Sequence, residues 1–376
     1  MIHSSTLKQM KITMKRSLKI VFIICAIALQ NVQAGNPDRA GGAGATQLLF
    51  NPYARSFGYG GVNTSSVKGL ESFYLNIAGL ANSDKTEVNF SRQNYLMGAG
   101  VNINNLGIAQ KIGENGGVIG LGVMSFDFGN IPTASYENPD LTLPYYNLQV
   151  LNFGFSYAKK FSNSISGGIL LRIASEGVSN ASSSGTCIDG GVQYQTSINR
   201  TKKIKKEDFR FGISVRNLGP NMSYYGNGLS FRSINQSTGA DRRALMAAES
   251  FNMPALVHIG ASYDMRLDGN PDTYNHKLTA SGNFNYNAFQ SDVLGLGAEY
   301  SYKDAFMVRA AYNHIEGNFS STDNRQPVYG IYSGFTLQMP VNNSGTILAF
   351  DYGYAPTRFF SGIQTIGVRL SLGNSK

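Results

Sequence analysis

From about Glu87 to Leu372 the chain keeps returning to one pattern, a stretch of apolar/polar alternation followed by a turn. In Tyr329–Gln338, residues Tyr329, Ile331, Phe335 and Leu337 share one face, with Ser333 the exception. Gly330, Tyr332, Gly334, Thr336 and Gln338 share the other. A period of two is a β-strand with unlike faces. Strands of roughly 9–11 residues can cross a bilayer at a tilt. In lipid they persist only as a closed barrel, because an open edge leaves backbone groups unpaired.

About fourteen candidate strands can be placed, an even number as in single-chain bacterial barrels. Their approximate spans are 85–93, 97–110, 117–127, 146–161, 165–176, 186–198, 208–217, 255–264, 275–287, 292–302, 305–315, 328–338, 345–354 and 363–373. The connections 128–145, 218–254, 316–327 and 355–362 are long and follow odd-numbered strands. Ser162-Asn163-Ser164, Lys303-Asp304 and Pro340–Gly345 are tight and follow even-numbered ones. Long outer loops and short periplasmic turns are the outer-membrane arrangement. A soluble sandwich has no reason to sort its loops by parity.

The two faces differ in charge as well. Outward positions include Ile169, Leu171 and Ile173; Phe211, Ile213 and Val215; Leu294, Leu296, Ala298 and Tyr300; Phe306, Val308, Ala310 and Tyr312; and Ile366, Val368 and Leu370. None is charged, as lipid exposure requires. Inward positions carry Arg172, Asp189, Arg216, Lys277, Glu299, Arg309, Asp351 and Arg369. Glu299 with Arg309, Asp189 with Arg216 and Asp351 with Arg369 lie on adjacent strands. They read first as structural ion pairs, since an unpaired buried charge is costly. A functional reading has them anchor an N-terminal plug or line a path.

The N-terminus fits export. Lys8, Lys11, Lys15, Arg16 and Lys19 precede the apolar run Ile20–Leu29, and Val32-Gln33-Ala34 resembles a cleavage site. Residues 1–34 read as a signal peptide, with Met14 the more typical start than Met1. Removing five basic residues and no acidic ones takes the net charge from +9 to +4, so no basic surface for nucleic acid is indicated. Cys187 is then the single cysteine, which excludes an internal disulfide. Residues 35–83 are weakly patterned and are expected to form a segment in or under the barrel, with a short helix. Residues 84–376 form the barrel itself. In the long loop, Asp241–Ala248 reads as compatible with a helix.

Two motifs in the N-terminal segment point to a family. Ala54-Arg55-Ser56-Phe57-Gly58-Tyr59-Gly60-Gly61 and Asn76-Ile77-Ala78-Gly79-Leu80-Ala81 resemble the opening signature of the PorV/PorQ family of the type IX secretion system. That family is related to the FadL-type fatty-acid channels. Its usual second motif is Asn-Pro-Ala-Gly-Leu, and Ile77 stands here in place of the proline. Weaker matches follow in order: Tyr157–Phe161, Asp189–Tyr194, Arg216–Pro220, Glu299–Tyr302, Arg309–Tyr312 and Phe350–Tyr354. The resemblance implies a fourteen-stranded FadL-like outer-membrane barrel that serves protein export. Its implied partners are the giant translocon barrel, cargo with a C-terminal sorting domain and the attachment-complex proteins.

On that reading the outer loops bind partners through Ile131, Tyr136, Leu143, Tyr145, Tyr146, Met222, Tyr224, Tyr225, Leu229 and Phe231, since aromatics are favoured interface anchors. The alternative is a FadL-like channel for hydrophobic small molecules, against which the polar inward residues weigh. An outer-membrane enzyme ranks last. His258, His276 and His314 are scattered, Cys187 has no companion base, and no cofactor or metal is indicated. Gly120-Leu121-Gly122 and Gly295-Leu296-Gly297 lie inside strands with no following helix, so the phosphate-binding context is missing. Lys202-Lys203-Ile204-Lys205-Lys206 reads as a solvated periplasmic turn.

Overall fold

The computed structural model describes residues 39, 41–113, 116–132, 145–198, 207–235, 237, 239–268, 274–315, 328–341 and 345–373. Alternation becomes strand wherever the sequence carries it. The first seven are β1 (Thr86–Tyr95), β2 (Val101–Lys111), β3 (Val118–Asp127), β4 (Gln149–Lys160), β5 (Ile165–Val178), β6 (Ala181–Thr196) and β7 (Phe209–Leu218). A small hairpin follows, β8 (Ser230–Ile234) with β9 (Asp241–Leu245). The last seven are β10 (Leu256–Arg266), β11 (His276–Asn287), β12 (Val293–Tyr302), β13 (Phe306–His314), β14 (Ile331–Pro340), β15 (Ile347–Ala355) and β16 (Ile363–Leu372).

All strands except β8 and β9 form one closed antiparallel barrel of fourteen, and β1 pairs with β16 to shut it. Closure satisfies every ladder without an edge, the condition for crossing a bilayer as sheet. Ile169 is 62 % exposed and Leu171 46 %, whereas Leu170 between them is fully buried. The same inversion runs along β13 and β16, where Val308, Ile366 and Val368 are exposed and Arg309 and Thr365 are buried. The protein is an outer-membrane β-barrel with an apolar outer wall.

Two local departures from the sequence reading have physical causes. Asp241–Leu245 is strand β9, paired with β8, and no helix forms there. So short a helix is marginal alone, whereas the hairpin adds a ladder and an ion pair between Arg232 and Asp241. The β5–β6 connection is also an outer one, yet it is only the turn Ser179-Asn180. There the strands themselves extend outward, and the hairpin edge at Ser182 pairs with Tyr225 of the 219–255 connection.

The lumen is filled by Thr46–Asn82. It comprises a 3-10 turn at Thr46–Leu49, the short helix α1 (Ala54–Gly58), and 3-10 turns at Gly69–Phe73 and Ile77–Asn82. Leu48, Val62, Leu70, Leu75, Ile77 and Leu80 are each at most 2 % exposed. The segment begins near the outer mouth, where Ala43 bridges Asn252. It ends at the periplasmic rim, where the Lys85 amide donates to Gly373 O at 3.2 Å. It is a plug that traverses the barrel.

Leu171 lies mid-strand on the lipid face. Leu171→Arg is expected to destabilise the barrel by about 2–4 kcal/mol, read as a lower urea midpoint in liposomes. An unchanged midpoint would contradict the assignment of that face to lipid.

Candidate functional site: the plug and its seat

An irregular segment inside a barrel carries backbone groups that no ladder satisfies, and buried ones must find partners. The inward polar side chains supply them. Arg172 Nη2 donates to Phe73 O at 2.8 Å, and Arg216 Nη2 to Leu48 O at 3.3 Å. Gln193 Nε2 donates to Thr64 O and Val67 O at 3.2 and 3.0 Å. Asn313 Nδ2 donates to Gly60 O at 2.9 Å and Gln93 Nε2 to Asn51 O at 3.2 Å. In return the Leu70 amide donates to Glu87 Oε1 at 3.0 Å. Asn76 Nδ2 reaches Val192 O at 3.0 Å, while its Oδ1 accepts from the Ala78 amide at 3.2 Å. One asparagine thus caps a plug turn and fastens it to the wall.

The ion pairs belong to the same seat. Asp189 meets Arg172 at 2.6 Å and Arg216 at 3.7 Å, and it also accepts from the Asn217 amide at 2.7 Å. The nearer partner is therefore Arg172 on β5. The backbone bulge between Ile188 and Gly190 brings Asp189 and Asn217 together. Arg216 lies over the Tyr74 ring at 4.4 Å. Glu299 takes Arg309 at 2.8 Å from the wall and Arg55 at 3.2 Å from the plug. Arg309 also donates to Thr336 Oγ1 at 2.6 Å, Thr336 hydrogen-bonds Asp351, and Asp351 faces Arg369 at 3.9 Å. These pairs are buried and held by further hydrogen bonds, the condition under which enclosed charges are tolerated.

Glycines cut the seat to shape. A Cβ at Gly191 would fall 2.1 Å from Asn76 Oδ1, and one at Gly212 2.8 Å from Thr64 O. At Gly58 it would press on the Gly334 and Gly353 Cα atoms, both at 3.0 Å. Gly120, Gly122 and Gly154 make room for the Phe73 ring, and Gly295 and Gly297 for Val62 and Tyr59. Gly79 leaves space for Val67 O, which a Cβ would approach to 2.2 Å. Ile77 packs beside Ala158 and Leu170 in the largest buried cluster.

Of the proposed loop contacts, Tyr136 and Leu143 lie outside the described residues. Ile131 and Tyr146 bridge to each other, and Tyr145 and Tyr146 are 62 % and 41 % exposed. Tyr225 and Phe231 are exposed and Leu229 half-buried. The Tyr224 hydroxyl donates to Glu176 at 2.6 Å. Met222 is not an exposed contact: it is 2 % exposed, packed with Leu48, Cys187 and Met253 where the loop folds over the outer end of the plug. Sequence reasoning also passed over Arg55, Glu71, Asn76, Glu87, Gln93 and Gln193. Arg55, Asn76 and Gln193 stood inside the quoted motifs, but their partners are far away in sequence.

One crevice remains in the outer half of the lumen. Leu48, Phe50, Pro52, Tyr53, Phe73 and Tyr74 of the plug face Met124, Asn105, Asn152 and Arg172 of the wall across it. Its volume is about 380 Å³ counted to the open mouth, although the enclosed part has room for little more than one water. Asn105 Nδ2, both amide atoms of Asn152 and Arg172 Nε have no partner within the protein. Phe50 stands at its outer edge, 4.8 Å from the Tyr95 ring and 5.3 Å from the Phe126 ring, edge-on to both.

No family model matches the chain, and no curated protein does. Among solved structures it is similar to the toluene transporter TodX of Pseudomonas putida. That match has 12 % identity and a TM-score of 0.51, over 87 % of this chain and 99 % of that one. The toluene transporter TbuX of Ralstonia pickettii matches with 11 % identity and a TM-score of 0.50, over 86 % and 98 %. The fold is FadL-like. At this level of identity the likeness carries the fold alone.

Burial, opposed by Arg55, aided by Asp351 and opposed again by Arg369 and Arg309, raises the Glu71 carboxyl of the plug to about 7. An unfolded chain holds that proton less tightly, with the ordinary value of 4.5. The contribution to stability is therefore full below about pH 4.5 and is lost as pH rises through about 7. Limited proteolysis is expected to cut the plug faster at about pH 8 than at about pH 5. Glu71→Gln should flatten that profile, and a profile unchanged by the substitution would remove Glu71 as its cause.

Proposed function

We propose that the protein is a FadL-like outer-membrane channel for small hydrophobic molecules, gated by its plug. The polar inward residues that weighed against such a channel are occupied, some in holding plug backbone and the others in pairing with one another or with Arg55. The crevice in the outer half of the lumen has aromatic and aliphatic walls and a few converging polar atoms, the usual composition of a small-molecule site. That crevice carries the reading. A solute would enter beside Phe50, rest against Tyr53 and Phe73, and pass on only after a shift of the plug, since the enclosed space below is too small. The two similar structures are named as toluene transporters, which supports an apolar solute. Proteoliposomes containing the barrel are expected to equilibrate labelled toluene several-fold faster than barrel-free vesicles. Equal rates, with the barrel shown to be folded, would overturn the channel.

A second reading rests on a different observation. The lumen is shut by hydrogen bonds along the whole plug, and the outer rim presents exposed Tyr145, Tyr146, Tyr225 and Phe231. A sealed barrel with an adhesive rim suits a binding component of protein export. This accords with the resemblance to the PorV/PorQ family, and its partners would be the translocon barrel and cargo with C-terminal sorting domains. Deleting the gene should then strand such cargo in the periplasm. Normal surface delivery alongside impaired solute uptake would sink this reading and keep the first.

A further inference from the structure

The periplasmic mouth holds a second crevice between the foot of the plug and the turn joining β4 to β5, about 340 Å³ counted out into open solvent. It has room inside for no more than about one water, so that an anion would seat at its opening. Three cations line it, Lys68 of the plug and Lys160 and Arg210 of the wall, and no acidic residue does. Arg210 is paired with Asp264 at 2.7 Å, whereas no salt bridge is formed by Lys68 or Lys160 among the described residues. Ser65 also lines the crevice, 1 % exposed, and its Oγ has no hydrogen-bond partner. Lys68 and Lys160 are both exposed, so their ammonium groups are reachable from the mouth.

Large apolar side chains at the strand ends border it, Ile165 and Tyr194 in its lining and Phe161 next to Lys160 in the chain. Phe161 is 72 % exposed, Ile165 42 % and Tyr194 41 %. Aromatics at this level of a barrel wall mark the membrane interface. The crevice therefore sits where the headgroups of the inner leaflet lie, with acyl-chain surface beside it. Basic pockets at the headgroup level of helical membrane proteins take lipid headgroups, and this one has the same chemistry. Phosphate suits this one because its several oxygens can accept from two ammonium groups and a hydroxyl at once.

We propose that Lys68, Lys160 and Ser65 form a phosphate-anion site at the periplasmic mouth, filled by the headgroup of an inner-leaflet phospholipid. A phosphate held there ties the plug to the wall at its foot, through Lys68 on one side and Lys160 on the other. The site stands independently of what the barrel carries.

Native mass spectrometry of the purified full-length barrel, reconstituted with phosphatidylglycerol, tests it. The unaltered protein should retain one phospholipid, and Lys68→Gln/Lys160→Gln should retain it at least tenfold less. Lys303→Gln, an exposed periplasmic lysine outside the crevice, should retain it fully. Heat-dependent gel mobility checks that each variant is folded. A parallel titration with inorganic phosphate separates the sources. Displacement of the lipid by phosphate, in the unaltered protein alone, supports the shared chemistry. Phosphate binding without lipid retention overturns the lipid as occupant, and equal retention by the folded double variant overturns the site.

Discussion

Everything inside this barrel follows from the unpaired backbone of its plug. A wall of paired strands needs nothing from the lumen, but a coil of turns needs a partner for each buried amide and carbonyl. Arg172, Gln193, Arg216, Gln93 and Asn313 supply donors, and Glu87 an acceptor. Losing one such partner leaves a buried group unsatisfied, at a cost of about 1–3 kcal/mol. The inward charges are then less a solute path than the upholstery of a seat. The outer crevice lies where aromatic plug residues meet the wall.

The wall was legible in the sequence because its code is local. Alternation, turn spacing and one-sided charge each need only neighbouring residues, and they place the strands within a few positions. β6 is the main exception, starting at Ala181 rather than near 186, because its outer end pairs beyond the wall with β5. The seat was not legible. Asn313 meets Gly60 across 253 positions and Arg55 meets Glu299 across 244, and no periodicity encodes such partners. Met222 and Asp241–Leu245 were misread for a related reason: one is covered and the other paired by residues the loop brings together only when folded.

The short motifs acquire a physical meaning. Ala54, Gly58, Asn76 and Gly79 are points where plug and wall, or two turns of the plug, approach closer than a larger side chain allows. The Gly-x-Gly pairs at 120–122 and 295–297 are matching recesses on the wall. A sequence of this kind is constrained at both members of each contact, so the motif and its recess form one feature divided between distant stretches of chain.

The foot of the plug is joined to β1 by Ser83, Asp84 and Lys85 alone. Three residues reach at most about 10 Å, a short leash for a body that spans the lumen. The lower end therefore cannot swing clear of the barrel while β1 stays in its seam with β16. Any opening that leaves the wall intact must begin at the outer end and peel downward, and a pull on the foot would load the very seam that closes the barrel.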